Sequence, residues 1–296
     1  MNRNILVTGA NGQLGSEIKK ISANYPKSLF YFTDRAALDI TNKTVLESFC
    51  SENSIQVIIN CAAYTAVDRA ETDAQNADKV NHLAVKYLAE VSSSQNISLV
   101  HISTDYVFDG KNYRPYLEED RVGPQGVYGK TKLLGEQALL KINPKNSLII
   151  RTSWVYSSFG SNFVKTMLRL GNERDELGII FDQVGTPTYA ADLAKVILDI
   201  LPQLNNKNVQ TYHYSNEGVG SWYDFAKYFL EKLAVDHNII PCTTEEYPTP
   251  AVRPKCAILE NRRLKNENLN IMQHWQKDVD EYVHQYGKQL ITDCQK

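Results

Sequence analysis

The sequence predicts an α/β protein, built on a doubly wound parallel sheet of the Rossmann type with a smaller C-terminal lobe. Short apolar runs rich in β-branched residues alternate with longer segments of helical period through the first half of the chain. These runs are apolar almost throughout, as expected of strands buried on both faces of a parallel sheet. A glycine-rich turn directly follows the first run and opens a helical segment. Together these observations indicate strand–helix–strand units with right-handed crossovers.

Five strands are predicted in the first half of the chain. They are Asn4–Thr8, Ser28–Thr33, Gln56–Asn60, Ser98–Ser103 and Ser147–Arg151. Residues 1–152 are therefore assigned to a Rossmann core. After residue 152 the rhythm becomes irregular, and Pro-containing segments such as Tyr247–Pro254 interrupt it. Residues 153–296 are expected to complete the core and to form a substrate-binding lobe at the carboxyl edge of the sheet, where ligands of such folds bind.

Composition and charge exclude several classes of protein. Apolar residues make up 43% of the 296 residues and charged residues 22%, and the formal net charge is -2, so no electrostatic signature of a nucleic-acid or membrane-surface binder is present. No apolar run approaches a membrane span and the N-terminus leads straight into a strand, so we expect a cytoplasmic protein. The five cysteines are scattered without a Cys-x-x-Cys pair, which favours reduced thiols over disulfides or a zinc site.

The turn after the first strand, Thr8–Gly15, carries glycines at three-residue spacing. Glycine permits a tight turn, close approach of a pyrophosphate and close helix–strand packing, and the following helix N-terminus offers free N–H groups to phosphates. Spacing alone is weak evidence, but Asp34 ends the second strand about twenty residues on, where a ribose-binding carboxylate belongs. Residues 1–152 are thus predicted to bind a dinucleotide, through a turn that contains Gly9, Asn11, Gly12, Gln13 and Leu14.

Residues after the second strand leave the choice between NADH and NADPH open. Asp34 can accept hydrogen bonds from the adenosine ribose, which favours NADH, whereas Arg35 can pair with a 2′-phosphate, which favours NADPH. Asp39, followed by Ile40, either approaches the adenine amine or caps the next helix together with Thr41.

The third strand ends in small residues over which a cofactor can lie closely. The candidates for this contact are Ala62, Ala63, Tyr64 and Thr65. Cys61 is expected to pack rather than to take part in chemistry.

Tyr128 and Lys132 lie four residues apart in a segment of helical period, so both side chains project from one helix face. A nearby cation favours the phenolate, so the pair suits a tyrosine that gives and takes a proton at physiological pH, and Lys132 can also hold the nicotinamide ribose. Thr104, at the end of the fourth strand, can hydrogen-bond a substrate carbonyl and polarise it for hydride attack. The order of these residues predicts an NAD(P)H-dependent oxidoreductase; the alternative is a surface helix with an exposed lysine.

Four motifs together resemble those of the extended short-chain dehydrogenases/reductases. They are Gly9–Gly15, Ser103–Gly110, Tyr128–Lys132 and Arg151–Tyr156, and similar segments extend nearly end to end. Within that family the resemblance is to enzymes of nucleotide-sugar synthesis. It implies reduction of the 4-keto group of dTDP-6-deoxy-L-lyxo-4-hexulose to dTDP-L-rhamnose with NADPH or NADH.

The same resemblance implies roles for individual residues. Gly12, Gln13 and Leu14 match pyrophosphate contacts. Asp34, Asp39 and Ile40 match contacts to the adenosine half of the cofactor, and Ala63, Tyr64 and Thr65 match contacts to its middle. Thr104, Asp105 and Trp154 match positions that contact substrate.

Two residues of the C-terminal region are further candidates for binding substrate. Trp154, just beyond the fifth strand, is expected to pack against the sugar, and Arg253 is expected to pair with the substrate diphosphate. The alternatives are a core tryptophan and a solvated arginine.

Some members of the family bridge a dimer through magnesium held by glutamates. Glu17 matches one such position and Asp192 a second, but no third residue is matched, so we predict no metal site. The expected ligand is a dTDP-sugar, no nucleic-acid or membrane partner is expected, and the chain is expected to be a monomer or a homodimer.

Two other functions are consistent with the same motifs. One is a nucleotide-sugar epimerase or dehydratase of this fold that keeps NAD bound. Dehydratases carry Thr-Asp-Glu, whereas this chain has Thr104, Asp105 and Tyr106, which argues against dehydration. The other is a regulatory subunit that keeps the fold without catalysis, since a fold alone does not determine a function.

Overall fold

A computed structural model describes residues 3–267 and 272–294 of the chain. The strands in these residues are β1 (Arg3–Thr8), β2 (Ser28–Thr33), β3 (Val57–Asn60), β4 (Ser98–Thr104), β5 (Leu148–Thr152), β6 (Val155–Tyr156), β7 (Leu177–Ile180), β8 (Val184–Gly185), β9 (Thr188–Tyr189), β10 (Gln210–Tyr214), β11 (Gly220–Ser221) and β12 (Ile239–Cys242).

The helices in the same residues are α1 (Gln13–Ile21), α2 (Lys43–Glu52), α3 (Val67–Ala70), α4 (Ala74–Asp78), α5 (Ala84–Gln95), α6 (Val127–Ile142), α7 (Phe163–Glu173), α8 (Ala190–Ile200), α9 (Trp222–Lys232), α10 (Arg262–Asn266) and α11 (Trp275–Cys294). A π-helical turn, Lys79–Leu83, joins α4 to α5 in one continuous helix. Within the described part of the chain, no helix combines the length and the apolar character needed to cross a membrane.

The central sheet has six parallel strands in the order β10-β5-β4-β3-β1-β2. The predicted doubly wound parallel sheet is therefore confirmed. Each of the five predicted strands is present, with its ends shifted by no more than about one residue, within the usual uncertainty of element boundaries. β3 and β5 are buried throughout and β1 and β4 nearly so, which requires apolar residues at most of their positions. The edge strand β2 is only half-buried, with Leu29 56% exposed, and was predictable from its run of apolar and aromatic residues.

The sixth strand, β10, was missed from the sequence. It reads Gln-Thr-Tyr-His-Tyr, which lacks the continuous apolar run of the other five strands. It lies at the edge of the sheet and pairs only with β5 within that sheet, with Tyr212 opposite Ile150 and Tyr214 opposite Thr152. Its place depends on this long-range pairing, so no local signal indicated it.

Successive residues of each central strand face opposite layers of helices. Ile5 and Val7 of β1 pack in a cluster that includes Ile18 of α1 and Val196 of α8. Leu6, between them, packs in the opposite cluster with residues of α2 and α5. The segment after residue 152 therefore contributes both a strand and a helix to the sheet's own core.

A third cluster lies outside the sheet and is rich in aromatic rings. It joins α7, α9 and α11, with Tyr156, Phe225 and Tyr282 buried at its centre. This cluster gives the later part of the chain a core of its own. The boundary at residue 152 stays a prediction.

The order of the sheet determines where a ligand can bind. The chain passes from β1 outward to β2 and then returns to β3 on the other side of β1. At such a reversal the two flanking connections diverge and leave a crevice at the carboxyl ends of the strands. The turns that follow β1 and β3 meet at this crevice.

Candidate active site

The glycine turn after β1 is shaped by close backbone contacts. Gly9 has φ +65, and a Cβ there would lie 2.6 Å from the backbone nitrogen of Ala62. A Cβ on Gly15 would lie 2.5 Å from the carbonyl oxygen of Gly9. Gly12 is different, because its nearest such neighbour is the carbonyl of Gly9 at 3.2 Å. Packing thus requires glycine at positions 9 and 15, whereas Gly12 leaves its side of the turn open, as close approach of a pyrophosphate would require.

The next two residues begin α1, and their side chains face away from the crevice. Leu14 is 8% exposed and belongs to the central core, so only its backbone can contact a phosphate. The side chain of Gln13 bonds to the carbonyl of Val155 at 3.3 Å and to the amide of Asn162 at 3.0 Å. Gln13 therefore ties the turn to the later part of the chain.

A cleft of about 610 Å³ lies at the ends of β1, β2 and β3. Ten of the predicted cofactor residues line it: Gly9, Asn11, Gly12, Asp34, Arg35, Asp39, Ile40, Ala62, Ala63 and Tyr64. Its volume lies in the range typical of sites for small molecules and cofactors such as dinucleotides. Thr65, Gln13 and Leu14 do not line the cleft. The sequence analysis missed Arg69 and Lys79, which line it from the segment after β3 and add positive charge to the cleft.

Asp34 is held in place by the glycine turn and by its own loop. Its carboxylate accepts hydrogen bonds from Asn11 Nδ2 at 2.8 Å and from the backbone N–H groups of Ala36 and Ala37. These bonds, that to Ala37 first, lower the pKa of Asp34. The carboxylate is thus charged and oriented at the rim of the cleft.

One alternative for Asp39 is wrong. Helix α2 is capped by Asn42, whose side chain accepts from the N–H of Val45, so Asp39 and Thr41 do not cap it. The carboxylate of Asp39 instead accepts from the backbone and the hydroxyl of Thr41, in a local turn at the rim of the cleft. Arg35 acts on the charge of Asp39 from the same rim.

A buried polar network supports the end of β3. Asn60 Oδ1 accepts from Thr8 Oγ1 at 2.7 Å and from the N–H of Ala62 at 3.3 Å, and Asn60 Nδ2 lies 3.0 Å from His101 Nδ1. Burial lowers the pKa of His101, so the ring is neutral and its Nδ1 accepts the amide proton. Cys61 packs against the central core, as predicted.

Tyr128 and Lys132 lie on the first turns of α6, whose N-terminus is held from another segment. Gly126 offers no side chain as a cap, and Glu71 supplies one by accepting from the N–H of Val127 at 2.8 Å. Lys132 is 1% exposed, and its Nζ donates to the carbonyl of Ile102 at 2.6 Å.

The pKa of Tyr128 departs from the expectation based on the tyrosine–lysine spacing. Burial raises it to about 12, against the opposing effect of a hydrogen bond with Thr104. Burial also lowers the pKa of Lys132 to about 8, against the charge of Glu136. The ammonium group of Lys132 donates to the carbonyl of Ile102. For Tyr128, the loss of hydration on burial outweighs any stabilisation of the phenolate by that ammonium group. Tyr128 is therefore protonated at neutral pH.

A buried ion pair that the sequence analysis missed stands behind Lys132. Arg151 donates to both carboxylate oxygens of Glu136, with the shortest contact at 2.7 Å, and both side chains are almost fully buried. The guanidinium also lies over the ring of Phe108. Loss of one partner would leave a buried charge unpaired, so this pair holds α6 against β5.

A second cavity, of about 400 Å³, is lined by a neighbour of Tyr128. Its lining includes Tyr106, Trp222 and Arg253, together with apolar residues of α7 and β7. The ring of Tyr106 packs edge-on against Tyr128, with centroids 5.3 Å apart. Arg253 is not a solvated surface residue, because Asp68 holds its guanidinium through both carboxylate oxygens at 2.7 and 3.0 Å.

Trp154 is neither a core residue nor freely exposed. Its backbone has φ +48, an unusual conformation for a bulky residue and one that is concentrated at functional sites. Its indole stacks on Trp222, with centroids 3.6 Å apart, and also lies against Gly185, where a Cβ would come within 2.7 Å of the ring. Trp154 thus lies behind Trp222, which lines the second cavity.

The two residues matched to magnesium positions of the family have other partners within this chain. Glu17 is fully buried, and its carboxylate accepts from Ser157 Oγ at 2.7 Å and lies 3.9 Å from Lys20 Nζ. Asp192 lies against Asn216 and Asp278 instead. In the described residues no group of three or more His, Cys, Asp or Glu could hold a metal ion.

The chain matches the model of the RmlD substrate binding domain over residues 3–288. The chain belongs to this family.

Individual members of the family and their structures are similar over nearly the whole chain. A dTDP-4-dehydrorhamnose reductase of Aggregatibacter actinomycetemcomitans is 41% identical over 270 residues, covering 88% of this chain and 92% of that protein. The crystal structure of a dTDP-4-dehydrorhamnose reductase from Clostridium acetobutylicum has 45% identity and a TM-score of 0.90, covering 95% of this chain and 99% of that one. That of Bacillus anthracis dTDP-4-dehydrorhamnose reductase, in complex with NADP, has 37% identity and a TM-score of 0.91, covering 96% and 100%. These findings confirm the resemblance seen in the motifs.

Proposed function

We propose that the protein uses NADPH or NADH to reduce the 4-keto group of dTDP-6-deoxy-L-lyxo-4-hexulose, which yields dTDP-L-rhamnose. The relatives named dTDP-4-dehydrorhamnose reductase support this assignment, as does the NADP bound to one of them. One structural observation carries it: Tyr128 packs against Tyr64, which lines the first cleft, and against Tyr106, which lines the second cavity. Lys132 acts electrostatically on Cys61, next to the cleft residue Ala62, while Tyr128 contacts Tyr106 of the second cavity.

The dinucleotide is proposed to occupy the first cleft. Gly12 and the N-terminus of α1 would bind its pyrophosphate, Asp34 or Arg35 its adenosine ribose, and Lys132 its nicotinamide ribose. When bound, the reduced nicotinamide supplies a hydride to the carbonyl carbon. Tyr128 donates a proton to the carbonyl oxygen, and the Thr104 hydroxyl beside it helps to orient that oxygen.

The sugar nucleotide is proposed to occupy the second cavity, with the sugar toward Tyr128. The apolar residues of α7 and β7 suit a base, and Arg253 suits the diphosphate. Trp154 would reach the sugar beside Trp222. Binding energy from the nucleotide then orients the reacting carbonyl, so simple ketones should not be reduced.

Coupled synthesis tests the proposed function. The protein is mixed with enzymes that convert dTDP-glucose to the 4-keto-6-deoxy sugar, and consumption of NADPH or NADH and the accumulated dTDP-sugar are measured. Formation of dTDP-L-rhamnose with stoichiometric loss of the reduced cofactor is expected. Absence of turnover with either cofactor would overturn the assignment and favour a regulatory subunit. Tight retention of the dinucleotide through gel filtration would instead favour an epimerase.

Asp34 and Arg35 favour different cofactors, so we expect both NADH and NADPH to be used. In Asp34→Ala the ratio of kcat/KM for NADPH to that for NADH should rise by about tenfold, because the carboxylate no longer repels a 2′-phosphate. Arg35→Ala is the matched variant, and its ratio should move in the opposite direction. A stronger preference for NADH in Asp34→Ala would show that the end of β2 does not bind the adenosine ribose.

Arg253→Ala is expected to raise KM for the dTDP-sugar by about 10- to 100-fold, the worth of a charge-assisted hydrogen bond to the diphosphate. Cofactor affinity should not change, since Arg253 does not line the first cleft. Arg262→Ala is the control, because that side chain is 75% exposed and pairs only weakly with Glu260. Equal KM values in wild type and Arg253→Ala would show that Arg253 pairs with Asp68 and does not bind the substrate.

The setting of the reaction is part of the same proposal. A nucleotide-sugar reductase that depends on a reduced dinucleotide is proposed to work in the cytoplasm. Its oligomeric state is proposed to be a monomer or a homodimer, which analytical ultracentrifugation distinguishes.

A further inference from the structure

The guanidinium of Arg253 is held by two partners that lie outside the cavity it lines. Its Nη1 donates to Asp68 Oδ1 at 3.0 Å and to the carbonyl of Ala251 at 3.3 Å, and its Nη2 donates to Asp68 Oδ2 at 2.7 Å. The backbone N–H of Ala251 also donates to Asp68 Oδ1, at 3.2 Å. Arg253 lines the second cavity, whereas Asp68 and Ala251 do not. The outer end of the guanidinium, formed by Nη1 and Nη2, is therefore taken by the protein itself.

Two N–H groups of this guanidinium remain for a ligand. A guanidinium has five N–H donors in one plane. Both N–H groups of Nη1 and one of Nη2 are used by Asp68 and Ala251. The N–H of Nε and the second N–H of Nη2 have no partner among the described residues. These two donors lie parallel along the side of the group and form a second fork, which matches two oxygens of a phosphate.

Asp68 is carried by a short helix that also packs against the proposed proton donor. The two end residues of α3 (Val67–Ala70) belong to the cluster that contains Tyr128. Glu71, directly after α3, caps the helix of Tyr128 by accepting from the N–H of Val127 at 2.8 Å. The carboxylate that holds Arg253 and the phenol of Tyr128 thus share one support.

We infer that Asp68 is a positioning residue, whose carboxylate fixes the plane of the Arg253 guanidinium so that its free side fork receives the substrate diphosphate. The inference rests on the proposed function and adds a residue that acts through Arg253 without touching the substrate. Because α3 supports both Asp68 and Tyr128, the diphosphate is bound at a fixed distance from the proton donor. Binding energy from the nucleotide is thereby used to orient the reacting carbonyl.

Asp68 supports Arg253 and does not compete with the diphosphate for it. A competing carboxylate would occupy the fork that the ligand needs, whereas Asp68 occupies the other one. Its side chain is 41% exposed, so water and salt screen its repulsion of a phosphate. An arginine already fixed in one plane also loses less rotational freedom when it binds. Removal of the carboxylate should therefore weaken binding of a nucleoside diphosphate.

Calorimetric titration of the NADPH-bound protein with dTDP tests this role without turnover. Asp68→Asn should bind dTDP about three- to tenfold more weakly, the cost of ordering one long side chain on binding. Asp78→Asn is the matched control, because that carboxylate is 38% exposed and pairs with His82 one turn along the same helix. Its affinity for dTDP should equal that of the wild type.

A double-mutant cycle shows whether Asp68 acts through Arg253. In the Arg253→Ala background, Asp68→Asn should weaken dTDP binding no further, because the group that it orients is gone. Arg253→Lys keeps the charge but has no planar fork, so Asp68→Asn should again have little effect. Thymidine carries no phosphate, and its affinity, measured by NMR titration, should be equal in wild type and Asp68→Asn. A cavity that had merely loosened would bind thymidine more weakly as well.

The outcomes separate this inference from the proposed function. Equal or tighter binding of dTDP by Asp68→Asn, a loss that persists in full in the Arg253→Ala background, or a matching loss of thymidine affinity overturns the role of Asp68 while the proposed reaction stands. If Asp68→Asn does not fold, as judged by its melting curve and NADPH binding, Asp68→Ala enters the same cycle. A wild-type protein that binds NADPH but not dTDP overturns the proposed substrate, and the inference with it.

Discussion

Tyr128→Phe is expected to lower kcat by about 10²- to 10⁴-fold, the usual worth of a positioned general acid. The substitution removes one hydroxyl group from a ring that is 9% exposed and keeps the edge-on contact with Tyr106. KM for the dTDP-sugar should therefore change little. Steady-state kinetics with NADPH measure both quantities.

Tyr113→Phe is the matched control, since that ring is 98% exposed and the same hydroxyl is removed from the surface. Its kinetics should be those of the wild type. Turnover at the wild-type rate in Tyr128→Phe would show that Tyr128 is not the proton donor. The catalytic role that the family resemblance implies for the Tyr128–Lys132 motif would then be wrong.

Lys132→Met is expected to weaken cofactor binding and to lower kcat by about 10²-fold or more, a general-acid-sized loss. Methionine fills much of the buried space, so the loss should reflect the missing ammonium rather than a cavity. The side chain now donates to Ile102, and its pKa of about 8 places its own titration within the working range. The limb of the pH–rate profile near pH 8 should therefore disappear in this variant.

Lys130→Met is the control, because Lys130 lies on the same helix and is exposed. Its cofactor dissociation constant and pH–rate profile should match the wild type. If Lys132→Met lowers kcat but leaves the profile unaltered, the ammonium binds the cofactor without acting on the phenol.

The part of the site that was predictable from sequence is encoded by short-range patterns. The Gly9–Gly15 turn and Asp34 are about twenty residues apart, and the register of β1 against β2 brings them together, with Thr8 opposite Thr33. Tyr128 and Lys132 are one helical turn apart. Ten of the thirteen candidates for cofactor contact in the turns after β1, β2 and β3 consequently line one cleft.

The other residues of the site are brought together by contacts that no local pattern reports. Arg69 and Lys79 line the cofactor cleft from the segment after β3. Tyr106, Trp222 and Arg253 come from three distant segments and meet around the second cavity. Sequence reasoning found Arg253 through family resemblance, but its partner Asp68, 185 residues away, is visible only in the structure.

By itself the sequence determined the fold class, five of the six central strands, the cofactor turn and the tyrosine–lysine pair. Each of these depends on hydrophobic periodicity or on spacings within one element, which the order of residues expresses directly. Only the tertiary structure decided the place of β10, the lining of the second cavity and the protonation of the site. Burial is a property of the assembled molecule, and it raises the pKa of Tyr128 and of Asp105 and lowers that of Lys132. The sequence names the candidate groups for proton exchange, and the packing around them determines which are charged.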